Sequence, residues 1–211
     1  MRAATAFGLS LGLGLGLGLG LFGCASNAPP MHYYTLSDVA PAAALPVSHG
    51  TGTVPLRVQL APLAVPSELN RQEVVTHTGA NQVQVHESNR WASSLDEQIQ
   101  RTLSNDLASR VPVMQPSIII DPTAPSTGAP RQKLSISLAR LDIDAQCHVA
   151  LTANWTLQGG GVEGQSGHEQ IDQAATTGAA CPEGAAATLS QALAVLADRL
   201  VPFIMTITPA Q

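Results

Sequence analysis

The sequence predicts an α/β domain: one mixed sheet with a central antiparallel hairpin and two long helices packed on it. Three observations predict it. Apolar and polar residues alternate with a period of two around Leu56–Leu60 and Leu134–Leu157, and Gln72–Thr78 and Gln82–Glu87 are β-prone. Two apolar stripes recur at helical spacing, Trp91-Leu95-Ile99-Leu103-Leu107 and Leu189-Leu193-Leu196-Leu200-Ile204. The resulting order, β, ββ, α, β, ββ, β, α, interleaves strands and helices in one body over residues 54–211.

In the first expected strand, Leu56, Val58 and Leu60 alternate with Arg57, Gln59 and Ala61, and Pro62 and Pro66 end it. Gln72–Thr78 and Gln82–Glu87 flank Gly79-Ala80-Asn81 and read as a hairpin. A helix is expected to about Ser109, capped by Asn89 or, one turn later, by the Ser94-Leu95-Asp96-Glu97 capping box, with Trp91 as a core anchor in its first turn. Ser117–Asp121 is a short all-apolar strand and Pro122–Pro130 a loop. Leu134, Ile136 and Leu138 share a face, and then the phase slips to Leu141 and Ile143, which predicts a bulge near Ala139-Arg140. Asp144-Ala145-Gln146 turns the chain into a strand with Cys147, Val149, Leu151, Trp155 and Leu157 inward. Gly159–Gly164 is a flexible tip, Gln165–Ala174 a weaker polar strand, and Glu183 to about Phe203 the last helix, with Pro202 breaking its period.

Charge and composition narrow the function classes. Only 12% of the 211 residues are charged and 3% aromatic, so Ala, Val, Leu and Ile must build the core. The formal charge is −5, which argues against nucleic acid as a partner and against electrostatic adhesion to anionic headgroups.

Residues 1–23 have the layout of a signal peptide: Arg2, an apolar run from Phe7 to Phe22 containing a Leu-Gly repeat, and Leu21-Phe22-Gly23-Cys24. The run is shorter than the roughly 20 residues that span a bilayer. Leu-x-Gly-Cys resembles the lipobox of bacterial lipoproteins. It implies cleavage before Cys24, acylation of that thiol and, with Ala25 rather than Asp following, the outer membrane. Residues 24–53, rich in Pro, Ala, Gly and Ser, are expected to be a lipidated tether. It contains the only tyrosine pair, Tyr33-Tyr34, read either as a short edge strand against the domain or as a contact for a neighbouring subunit.

Cys147 and Cys181 remain. An oxidising periplasm permits a disulfide between them, and two buried free thiols are the alternative. Their spacing with His148 is not that of a zinc site. There is no Gly-x-Ser-x-Gly, Ser-x-x-Lys, His-Glu-x-x-His or Walker loop, and the six histidines are scattered. No cofactor, metal or catalytic set is expected. Asp142 and Asp144 share a strand face beside a turn and read as solvated acids.

Several stretches taken in order resemble the ABC-type transport auxiliary lipoproteins, the family of PqiC (YmbA). They are Tyr33-Tyr34-Thr35-Leu36; Val58 to Pro66, followed by Leu69-Asn70-Arg71 and Val74-Val75-Thr76; Asn89-Arg90-Trp91-Ala92; and Val149 to Leu157. Asn70 stands where the family usually has Asp. The resemblance implies a non-enzymatic outer-membrane subunit of an MCE-type system that moves lipids or other hydrophobic molecules and supports envelope integrity. It would dock an MCE-domain (PqiB-like) periplasmic protein that has an inner-membrane partner, and it would form a homo-oligomer. Candidate contacts are Tyr33, Tyr34, Leu69, Arg71 and the Gly159–Gly164 tip. The rival readings are a lipid carrier with its own apolar cavity and an envelope hydrolase.

Overall fold

The computed structural model describes residues 29–41, 56–111, 118–120, 131–159, 162–175, 178 and 181–205. The expected leader with Cys24, the distal part of the expected tether and the expected loop over residues 122–130 lie outside them. The elements, in chain order, are β1 (His32–Tyr34), β2 (Leu56–Leu60), β3 (Glu73–Gly79), β4 (Gln82–Trp91), α1 (Leu95–Arg110), β5 (Ile118–Ile120), β6 (Arg131–Ile143), β7 (Val149–Gly159), β8 (Val162–Gln173) and α2 (Ala185–Met205).

The fold is mixed α/β, but its strands fall into two sheets. The larger has the order β5-β2-β6-β7-β8 and the smaller β1-β4-β3. β2 runs parallel to both β5 and β6, whereas β6, β7 and β8 form an antiparallel meander with the expected hairpin at its centre. The phase slip along β6 is a register shift between Leu138 and Arg140. Ala139 is the extra residue there, and it restores the apolar face for Leu141 and Ile143. An isolated bridge between His77 and Asp144 ties the edge of the small sheet to the end of β6.

β4 is longer than its sequence pattern predicted and takes in Asn89, Arg90 and Trp91. The reason is a partner that is remote in sequence. β1 adds to β4 in parallel, with His32, Tyr33 and Tyr34 in register with Asn89, Arg90 and Trp91. Asn89 is therefore not a helix cap, and Trp91 anchors the core, 4% exposed, from the end of a strand. The helix starts one turn later. Ser94 occupies the cap position, its hydroxyl makes no capping bond, and Asp96 and Glu97 supply the favourable first-turn charge.

Both helices pack against the inward faces of the sheets. Ile99, Leu103 and Leu107 from α1, Leu189, Leu193 and Leu196 from α2, and Leu134, Leu141, Val149 and Leu151 from the large sheet are all buried. α2 is long and apolar enough to cross a membrane by length and composition, but its apolar stripe is spent on this core. β8 is 12 residues long and pairs along nearly the whole of β7. Opposite Trp155 it carries Gly167, where an added Cβ would sit 2.8 Å from the indole. The missing side chain makes room for that ring. The ring also meets Phe203, with centroids 4.6 Å apart.

The compact unit begins at Met31, well before the expected boundary at residue 54. What looked like spacer around residues 32–41 is part of the folded body.

Candidate functional site

The feature that sequence reasoning did not foresee is how the amino-terminal strap, residues 32–41, is held. A short extended segment cannot satisfy its backbone groups within itself, and buried N–H and C=O groups need partners. Tyr34 C=O accepts from Ala92 N–H at 2.8 Å at the end of the β1–β4 pairing. Beyond it the strap leaves the sheet and lies along both helices, whose polar side chains replace the missing strand. Leu36 N–H donates to Gln98 Oε1 at 2.9 Å, and Leu36 C=O accepts from Arg101 Nη2 at 2.9 Å. Ser37 N–H donates to Ser190 Oγ at 3.1 Å. Val39 N–H donates to Asp106 Oδ1, and Val39 C=O accepts from Arg110 Nη1, both at 2.9 Å. The Leu36 side chain is 1% exposed and drives into the core.

Arg110 organises the far end of this seam. Its side chain is 3% exposed and lies 3.4 Å from Asp106 Oδ1, which is fully buried. Its Nε donates to Asp198 on α2. Burial holds the Asp106 carboxyl above its ordinary range, outweighing the Val39 N–H and the Arg110 charge that pull it down. One signal was available in sequence: Gln98, Asp106 and Arg110 are polar residues on a helix whose apolar stripe they flank, and Asp106 and Arg110 stand four apart.

The candidate contacts separate into outward and inward residues. Tyr33 is 64% exposed, and Met31 beside it is 42% exposed. Strand alternation sends Tyr34 the other way, against the core, and its hydroxyl donates to Asn89 Oδ1 at 2.9 Å. Burial, and then the charge of Glu183, raises the Tyr34 phenol above its usual value. Leu69 is 5% exposed and belongs to the core, because the loop folds back with Leu69 N–H on Pro66 C=O and Arg71 N–H on Leu69 C=O. It is thus not a surface contact. Arg71 stays at the surface, 3.4 Å from Glu73. The Glu73 carboxyl is held down by its own backbone N–H and then by Arg71 and Arg90. The centre of the Gly159–Gly164 tip lies outside the described residues.

Cys147 and Cys181 are joined by a disulfide, with Cα atoms 5.2 Å apart, so the turn before β7 is stapled to the start of α2. Cys147 takes a left-handed conformation, φ 62°, at the close of the Asp144 turn. The Asp144 carboxylate accepts the N–H groups of Gln146 and His148 there.

A polar cleft of about 840 Å³ opens beside this turn, lined in part by His77, Arg140, Asp142, His148 and Asp172. Asp142 is paired with Arg140 and lies 3.3 Å from His77 Nε2. These acids, expected as solvated turn residues, are thus compensated locally. Among the described residues no group of three or more His, Cys, Asp or Glu side chains is placed to hold a metal ion.

Fold and site together define an α/β domain of two sheets whose amino-terminal entry is fixed to the body by a dedicated set of helix side chains. The family model described as the ABC-type transport auxiliary lipoprotein component matches residues 34–201, and the chain belongs to that family. Two solved structures share the fold. One, described as the crystal structure of an uncharacterized protein, is 19% identical with a TM-score of 0.64, over 83% of this chain and 99% of its own. The other, protein XCC0632 from Xanthomonas campestris, of the DUF330 family, is 15% identical with a TM-score of 0.55, over 82% and 94%. No curated protein matches the chain significantly.

Proposed function

We propose that the chain is the outer-membrane lipoprotein subunit of an MCE-type trans-envelope system for lipids or other hydrophobic molecules. In this reading it is a non-enzymatic docking component that supports envelope integrity. The observation that carries the reading is the family match, which begins at Tyr34, ten residues after Cys24 at the end of the signal-like leader. Cys24 carries the acyl chains, and two or more such chains make attachment stable. The body works on the periplasmic face as a homo-oligomer and meets an MCE-domain (PqiB-like) protein that connects to an inner-membrane partner.

What supports docking rather than carriage is the interior. The described helices and sheets fill the space between them with Leu, Val, Ile and Ala, and the cleft beside the Asp144 turn is polar. Arg71, exposed on its loop, is the residue we retain for a protein contact. A photoreactive residue replacing Arg71 in cells is expected to capture an MCE-domain protein. Recovery of nothing but further copies of this chain would overturn the docking role.

A further inference from the structure

The strap limits how far the body can stand from Cys24. Met31 already belongs to the folded unit, and only seven Cα–Cα steps of chain separate it from Cys24. Fully extended, they reach about 25 Å. The strap cannot lengthen this link without breaking the bonds from Leu36, Ser37 and Val39 to the helices and withdrawing Leu36 from the core. A body so held stays close to whatever surface the acyl chains enter.

The β1 entry is where the body joins that short link, and it exposes two side chains suited to a lipid interface. Tyr33, 64% exposed, has an apolar ring and a polar tip, the character favoured at the headgroup level. Met31, 42% exposed, adds a flexible apolar chain on the same side of the strand. The charge around them is nearly compensated: Arg90, in register with Tyr33, lies 3.8 Å from Glu73. The chain as a whole carries −5, so anionic headgroups would not attract it and contact must come from apolar, interfacial side chains.

Resting on the reading that Cys24 is acylated, we propose that Met31 and Tyr33 form a membrane-contact surface, seated in the headgroup layer of the phospholipid bilayer that holds the acyl chains. The β1 end of the body faces the membrane, and the C-terminal ends of the helices, where Val39 meets Arg110, point away from it.

The test places benzoylphenylalanine at position 33 of the full-length acylated protein, in vesicles of phosphatidylethanolamine with a minor share of phosphatidylglycerol. A second sample carries it at Val83, also solvent-facing at 50% exposed but seven residues along β4 from Arg90, the register partner of Tyr33. Adducts and the intact mass are read on the same samples. Phospholipid adducts several-fold more abundant at position 33 than at position 83 are the expected result. Equal capture at the two positions, no lipid adduct, or adducts only with a second copy of the chain overturns this proposal while leaving the anchor intact. A mature chain without acyl groups overturns the anchor and this surface with it.

Discussion

Arg110 Nε donates to Asp198 Oδ1 at 2.6 Å, linking the last turn of α1 to α2. The same guanidinium also faces buried Asp106 and takes the carbonyl of Val39, so one side chain joins both helices and the strap. Removing one partner of a buried pair leaves an uncompensated charge, which costs far more than a surface ion pair contributes. Arg110→Ala is therefore expected to lower unfolding free energy by about 3–5 kcal/mol, measured by urea denaturation. Asp198→Ala, whose carboxylate is half exposed, is expected to cost well under half as much.

Asp106 gives this seam a pH dependence. Its carboxyl is held above the ordinary range, so the folded chain binds that proton more tightly than the unfolded chain does. The contribution is present below the unfolded value, near pH 4, and is lost as pH rises through the folded value. The stability of the wild-type chain minus that of Asp106→Asn should accordingly fall as pH rises above about 4. Urea denaturation of both chains across that range checks it, and a rising difference would show that Arg110 and the Val39 N–H dominate burial.

Leu36 is the apolar pin of the strap. Leu36→Ala removes a fully buried side chain and is expected to cost about 2–5 kcal/mol. The loss should be local in its signature. Amide exchange at Ser37 and Val39 should quicken more than exchange in β7, because those two N–H groups are held only by side chains of the helices.

The disulfide between Cys147 and Cys181 closes a separation of 34 residues. The chain-entropy account gives about 3–4 kcal/mol for a loop of this size. Cys147→Ser with Cys181→Ser should lose stability of that order, and reduction of the unmodified protein should lose the same amount. A reductant-insensitive melting temperature would contradict it.

Gly167 is needed for the seat of Trp155. Gly167→Ala places a methyl group against the indole and is expected to cost about 1–3 kcal/mol. The displaced ring should also change the near-UV circular dichroism and raise quenching of Trp fluorescence by acrylamide. The buried Trp91 supplies an internal reference for those signals.

The sequence by itself determined the α/β class, the β6–β7 hairpin with its bulge, both helices to within a turn or so and the family, because each rests on local periodicity or on motifs in order. Leu134 to Leu157 could be read as paired strands since the two partners are neighbours in the chain and the turn between them is marked by Asp144. Only the tertiary structure decided that the strands divide into two sheets, that β4 runs on to Trp91 and that the supposed spacer is a clamped strap. All three depend on pairing across more than fifty residues, such as Tyr34 with Asn89 and Leu36 with Gln98. Local propensity made Asn89 a helix cap. The parallel partner that makes it a strand residue is supplied by β1, and no window of sequence contains both. Leu69 was misplaced for the same reason: its loop is polar around it, and what buries the side chain is the fold into which the loop turns back.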